Sequence, residues 1–134
     1  AMTYEPMLMG GVSNLDEANS IYSKILGADP YKKETVESEG VITSFFRLNN
    51  TKIELLQGLN EDNSISKFIK KRGEGIHHIA FEVEDIFSEI ERLKKLGFEI
   101  INESPKKGAD NKLICFIHPK STNHVLIELC QKIK

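Results

Sequence analysis

A chain of 134 residues, 40% of them hydrophobic, can bury a core without disulfide or metal staples, so one domain over 1–134 is expected. Its 18 basic and 20 acidic residues are interspersed, with a net charge of −2 and no single-sign block to track a phosphate backbone, which excludes nucleic acid as an expected partner. No apolar run approaches the roughly 20 residues that span a bilayer, and the amino terminus lacks a basic, apolar and small-residue leader pattern, so a cytoplasmic setting without membrane contact is expected.

In chain order, the mostly apolar run 6–12 reads as a strand and Asn14 as the cap of a helix with the inner stripe Leu15, Ala18, Ile21, Tyr22, Ile25 and Leu26, stopped by Gly27. Pro30 opens an extended stretch to about 37, Val41 to Leu48 is a further strand, and Asn49-Asn50 turns the chain into Lys52 to Gln57. A polar connector over 58–75 holds a short helix from Ser64 to Arg72, with Ile65, Phe68 and Ile69 as its apolar side. The order then restarts at Ile76. Asp85 caps a second helix with the stripe Ile86, Ile90, Leu93 and Leu96, Gly97 ends it, and strands near 98–103, 112–118 and 124–130 follow.

This restart is an internal repeat. Val12-Ser13-Asn14-Leu15 returns 71 positions later as Val83-Glu84-Asp85-Ile86, and Ile53-Glu54-Leu55 returns 74 positions later as Ile127-Glu128-Leu129. Two modules of strand, helix and three strands, at about 4–57 and 76–131, should join about a pseudo-twofold with both helices on one side. Strand alternation puts Ile79, Phe81 and Val83, with Leu8, Gly10 and Val12, under the helices. It leaves His78, Met7 and Met9 on the other, concave face.

Glu54 and Glu128 each stand on the opposite strand face from their apolar neighbours. An exposed sheet face would explain that pattern without further meaning. In a closed cup, carboxylates need a proton or a cation, and two of them converging with His78 imply a divalent metal held by oxygen and imidazole donors. His77 points the other way and suits a packed role. His118-Pro119-Lys120-Ser121-Thr122 offers a cation, hydroxyls and backbone donors for an anion, although a turn lysine is usually only solvated. Gly73-Glu74-Gly75 and Gly108 lack the strand–loop–helix context of a phosphate loop. Cys115 and Cys130 read as small buried apolar residues.

The stretch Gly73-Glu74-Gly75-Ile76-His77-His78-Ile79-Ala80-Phe81-Glu82-Val83 with Asp85-Ile86 resembles the second-module opening of methylmalonyl-CoA epimerases. So do Phe116-Ile117-His118-Pro119-Lys120-Ser121 and Val125-Leu126-Ile127-Glu128-Leu129. These enzymes are vicinal oxygen chelate proteins, the superfamily of glyoxalase I, bleomycin resistance proteins and extradiol dioxygenases. The resemblance implies an α+β fold of two βαβββ modules closing into a half-barrel, and a homodimer by analogy. It also implies metal-assisted proton transfer alpha to the carbonyl of a small acyl-CoA thioester. A non-catalytic small-molecule-binding member and a glyoxalase-type lyase or isomerase are the alternatives.

By position, the resemblance places metal ligands at Glu54, His78 and Glu128, with Glu128 also the candidate for proton transfer and Lys120 and Ser121 for substrate binding. The metal would be cobalt, nickel, zinc or manganese. Met7 takes the place of the family's first histidine ligand, and a thioether suits such ions poorly. Three further departures stand around the cup. Val41-Ile42-Thr43-Ser44 lacks an additional glutamate that some members carry, Asn111 replaces the second glycine of a Gly-Ala-x-Gly loop, and Asn123-His124 replace two glycines ahead of the last strand.

Overall fold

Asn14 and Asp85 turn two extended strands into two helices. Their side-chain oxygens accept the backbone N–H of Glu17 in the first case and of Phe87 and Ser88 in the second. In the computed structural model, which describes residues 5–49, 51–102 and 104–133, helix α1 covers Leu15–Leu26 and helix α3 Ile86–Lys95. Between them helix α2 covers Ser64–Arg72. The side chain of Met7 and residue Asn50 of the Asn49-Asn50 turn lie outside the described residues.

The chain divides into two compact units, Met7–His77 and Ala1–Pro6 with His78–Lys134. In the first, strands β1 (Glu5–Gly11), β2 (Lys32–Val36), β3 (Val41–Leu48) and β4 (Thr51–Gly58) lie in the order β2-β3-β4-β1. Val12, Leu15, Ala18, Phe46 and Leu55 form the core under α1. In the second, β5 (Gly75–Glu82), β6 (Lys106–Lys107), β7 (Lys112–Ile117) and β8 (Ile127–Lys132) lie in the order β5-β8-β7-β6. Val83, Ile86, Ile90, Leu93, Cys115, Ile117 and Leu129 form the core under α3. Among the described residues no helix is long and apolar enough to cross a membrane.

The two units repeat down to single pairs. β1 runs parallel to β4 as β5 does to β8, and Phe45 faces Glu54 across β3 and β4 as Phe116 faces Glu128 across β7 and β8. The repeat extends to a helix cap that only the fold reveals. Gln57 Oε1 accepts the N–H of Leu15 at 2.6 Å, and Gln131 Oε1 accepts that of Ile86 at 2.7 Å, so each last strand satisfies the first turn of its own unit's helix. Replacing either glutamine with alanine is expected to cost about 1 kcal/mol in urea unfolding. A loss below about 0.3 kcal/mol at both positions would show that water caps these helices equally well.

Where the units differ, the cause is visible. On the Glu54 face of the first, α2 packs against glycines: a Cβ on Gly11 would stand 3.6–3.7 Å from Phe68, Ile65 and Ile69, and Gly58 leaves room for Asn63 and Ser66. The corresponding end of the second unit carries Lys112, whose Nζ lies 3.3 Å from Glu82, with Lys132 at 3.8 Å from the same carboxylate. An ion-pair cluster thus fills in one unit what a helix covers in the other.

Several sequence expectations need correction. Of the strand expected over 98–103, the described residues 98–102 make a single bridge, Ile100 to Ile117, because Asn102 Oδ1 takes the Phe116 N–H that a backbone carbonyl would hold in a strand. Regular pairing resumes at Lys106, after Pro105. The last strand starts at Ile127, not 124, since Asn123 and His124 are still turning with φ of 54° and 68°. Ile21 and Ile25 of the expected α1 stripe are 49% and 69% exposed, on the shoulder beside the buried Leu15 and Ala18. Leu96, 63% exposed, lies past the last turn of α3, where Gly97 adopts φ 93°. Leu8 also stays partly exposed.

Candidate active site

Strand β5 alternates as its sequence predicts, with Val83 and Phe81 against α3 and His78 and Ala80 buried on the other face. Glu128 is the register partner of Ala80, whose small side chain leaves the carboxylate room to turn toward the imidazole. His78 Nε2 and Glu128 Oε1 stand 3.1 Å apart, with the residues 6% and 8% exposed. The Phe116 ring closes the pair from the side, edge-on to His78 with centroids 5.4 Å apart. A carboxylate and an imidazole sheltered from water gain strength in their mutual contact and hold one geometry.

In the other unit Glu54, 5% exposed, lies between Met9 and Phe45 as cross-strand neighbours, while Ile53 and Leu55 on either side of it turn into the α1 core. The alternation therefore buries a carboxylate on the face away from the helix. Each glutamate occupies the same place in its own unit, opposite a phenylalanine.

His78 and Glu128 fit a divalent ion as two of its ligands. Two donors at about 2.1 Å and at right angles around one ion lie about 3.0 Å from each other, close to the observed spacing. Among the described residues no group of three His, Cys, Asp or Glu side chains is assembled in the manner of a complete metal site. His77, as its position in the strand predicts, is packed, its ring edge-on to Phe68 of α2 with centroids 5.0 Å apart. Cys115 and Cys130 are both buried thiols outside any disulfide, Cys130 Sγ donating to the Phe81 carbonyl at 3.7 Å, and burial first, then the charge of Glu128, pushes the Cys115 thiol up to about 11.

Lys120 and Ser121 sit in a short 3-10 turn, Pro119–Ser121, and both engage Glu99. Lys120 Nζ lies 2.6 Å from its carboxylate, and Ser121 Oγ accepts its backbone N–H at 3.1 Å. The hydrogen bond from Lys120 holds the Glu99 carboxyl below its ordinary 4.5, helped by the charges of Lys120 and His118 and opposed by desolvation. A lowered carboxylate contributes stability above its unfolded value that is lost as pH falls through the folded one. Replacing Lys120 with alanine should move the Glu99 titration upward when followed by carboxyl carbon NMR. An unmoved titration would mean that this contact does not persist in solution.

Residues 10–116 match the sequence pattern of the glyoxalase/bleomycin resistance protein/dioxygenase superfamily. An ethylmalonyl-CoA/methylmalonyl-CoA epimerase of Cereibacter sphaeroides is 42% identical over 122 residues, covering 90% of this chain and 91% of that protein. The crystal structure of methylmalonyl-CoA epimerase from Mycobacterium tuberculosis superimposes with a TM-score of 0.90 at 32% identity, over 96% of this chain and 87% of that one. A Streptomyces coelicolor methylmalonyl-CoA epimerase in complex with 2-nitronate-propionyl-CoA gives a TM-score of 0.94 at 26% identity, covering both chains completely. The α+β fold is thus the glyoxalase-like one. The chain belongs to the glyoxalase/bleomycin resistance protein/dioxygenase superfamily, as a methylmalonyl-CoA epimerase-like member among its isomerases.

Proposed function

We propose that the protein epimerises methylmalonyl-CoA, or a closely related 2-substituted malonyl thioester, by removing and returning the proton between two carbonyl groups. The observation that carries this reading is the buried His78–Glu128 pair at 3.1 Å, with Glu54 buried at the matching register of the other unit. Glu54, His78 and Glu128 would hold a divalent metal, cobalt, nickel, zinc or manganese. When bound, that ion supplies Lewis-acid stabilisation of the enolate that proton removal creates.

The chain's own groups do the rest. Glu128 takes the proton from one face of the α-carbon, an acid on the opposite face delivers the proton that inverts the centre, and His78 fixes the position of Glu128. Burial of both side chains keeps bulk water from competing for the carbanion. Lys120 and Ser121 receive the phosphate-bearing end of the thioester, with Lys120 exchanging the Glu99 carboxylate for phosphate. Lys120→Ala then raises KM while leaving kcat unchanged.

The test is deuterium incorporation at the α-carbon of methylmalonyl-CoA in D₂O, with chelator-treated protein and after cobalt or nickel is restored. Metal-dependent exchange above background supports the reading. Absence of exchange under both conditions, with methylmalonyl-CoA still bound, would instead support a non-catalytic binding member of the superfamily.

A further inference from the structure

Three cations share one rim of the first unit's sheet, on the face that carries Glu54. Arg47 and Lys52 are register partners across β3 and β4, and Lys32 pairs with Phe45, two positions from Arg47 on the same face. Like charges directly opposite each other in an antiparallel ladder, with Cβ atoms about 5 Å apart, weaken the pairing. The whole chain has a net charge of −2, so the patch does not follow from a basic composition.

The three are not equivalent. Lys32 Nζ lies 3.3 Å from Glu34 and 5.2 Å from the Phe45 ring centroid, so its charge is engaged within the fold. Arg47 is exposed, and its guanidinium stands 5.2 Å from the centroid of the Tyr31 ring. Tyr31 is itself held in place, its N–H donating to the Phe45 carbonyl at 2.9 Å and its ring tilted against that of Phe45 with centroids 6.1 Å apart. The aromatic contact fixes the guanidinium but gives its five N–H donors no acceptor oxygen. Among the described residues no carboxylate pairs with Arg47, and Glu54, one step inward on the same face, is buried beside its register partner Phe45.

The internal repeat shows that the fold does not require two cations here. The places equivalent to Arg47 and Lys52 in the other unit are His118 and Leu126, one position beyond the Ile117–Ile127 pair. His118 opens the turn of Lys120, whose ammonium has the Glu99 carboxylate at 2.6 Å. At Arg47 the first unit has a cation of the same placement, a second cation facing it, and no such acid.

We infer that Arg47 and Lys52 bind the 3′-phosphate of CoA. A phosphate monoester carries close to two negative charges at neutral pH and offers three acceptor oxygens. It suits two facing cations, one of them a planar fork that takes two oxygens at once. Arg47 is exposed and Lys52 half-buried, at the end of β3 and the start of β4, so a ligand reaches them without opening the core. The diphosphate of CoA is a separate group, and the assignment leaves that of Lys120 untouched. The inference rests on the proposed acyl-CoA substrate and deepens it by naming the residues that read the nucleotide end.

The experiment measures affinity for methylmalonyl-CoA and for its dephospho form, which lacks only the 3′-phosphate, at low ionic strength, together with α-proton exchange. It compares the unaltered protein with Arg47→Gln, Arg47→Lys, Lys52→Gln and Lys24→Gln, the last an exposed cation of α1. The unaltered protein should prefer methylmalonyl-CoA by about tenfold. Arg47→Gln and Lys52→Gln should each bring that preference below about threefold by weakening methylmalonyl-CoA alone, and Arg47→Lys should fall between them and the unaltered protein. Lys24→Gln should keep the preference whole. The dephospho form is the internal control, since damage to the fold costs affinity for both compounds.

Equal affinity of the unaltered protein for the two compounds overturns the inference. So does a loss that falls equally on both in Arg47→Gln and Lys52→Gln. If the preference is present and vanishes in those variants while the unaltered protein exchanges no proton, epimerisation falls and this inference stands. If exchange occurs without any preference, the reverse holds. No binding of either compound by the unaltered protein would sink both.

Discussion

Exchange of the α-proton of methylmalonyl-CoA is expected to fall by at least about a hundredfold when Glu128 is replaced with glutamine, the loss that removal of a positioned acid–base group brings. Glutamine keeps the volume of the side chain and an oxygen facing His78 Nε2, which stands 3.1 Å from Glu128 Oε1 in the native protein. It gives up the negative charge, and with it both the capacity to carry a proton and most of the affinity for a divalent cation. Stability should change little, because a hydrogen bond across the same pair of strands remains possible.

His78→Ala makes the contrast. It leaves the buried Glu128 carboxylate without its imidazole, and the fold should lose about 1–3 kcal/mol together with activity. Kinetics and urea unfolding measured on both variants separate chemistry from scaffolding. Exchange within about threefold of the native rate in Glu128→Gln would remove Glu128 from the proton-transfer role.

Much of this arrangement is legible in the amino-acid order, because the informative signals are local. Asn14 and Asp85 stand directly ahead of apolar periodic segments, Gly27 and Gly97 follow them with φ of 71° and 93°, and the spacing predicts Val41–Leu48 and Ser64–Arg72 as the structure has them. Strand period alone puts Glu54 and His78 on the faces opposite α1 and α3. What escapes depends on groups distant in sequence or on side chains that imitate the backbone. Gln57 and Gln131 cap helices 42 and 45 residues upstream of them, which no helix-start signal encodes. Asn102 replaces a ladder carbonyl and turns an apparent strand into a single bridge.

The left-handed turn at Asn123 and His124 is a related case. Glycine would announce it, yet the chain adopts φ of 54° and 68° there with residues that disfavour it, by roughly 1 kcal/mol apiece.

Gly58→Ala should be the most damaging single-methyl change in the first unit, with a loss of about 3 kcal/mol and a melting temperature lower by roughly 10 °C. An added Cβ would overlap Ser66 Oγ outright and come within 2.6 Å of Asn63 Oδ1 and 2.7 Å of Asn63 Nδ2. Neither side chain is free to retreat. Ser66 Oγ donates to the carbonyl of Asn60 at 2.5 Å, Asn63 Nδ2 donates to the same oxygen at 2.7 Å, and Asn63 Oδ1 caps α2 by accepting the Ser66 N–H at 2.8 Å. Relief of the clash therefore means loss of the cap or displacement of the helix.

Displacement would reach the face that carries Glu54, because α2 rests on that side of the sheet through Ile65, Phe68 and Ile69 against Gly11. Gly11 is the register partner of Leu56, on the strand that carries Glu54. Substrate affinity should accordingly fall along with stability in Gly58→Ala, whereas Gly27→Ala, at φ 71° with open space around it, should cost only about 1 kcal/mol and leave affinity unchanged. The double variant Gly58→Ala with Ser66→Ala should lose less than the sum of its parts, since the second change removes one of the atoms the first collides with. Strict additivity in thermal unfolding would show that the collision is not what Gly58 avoids.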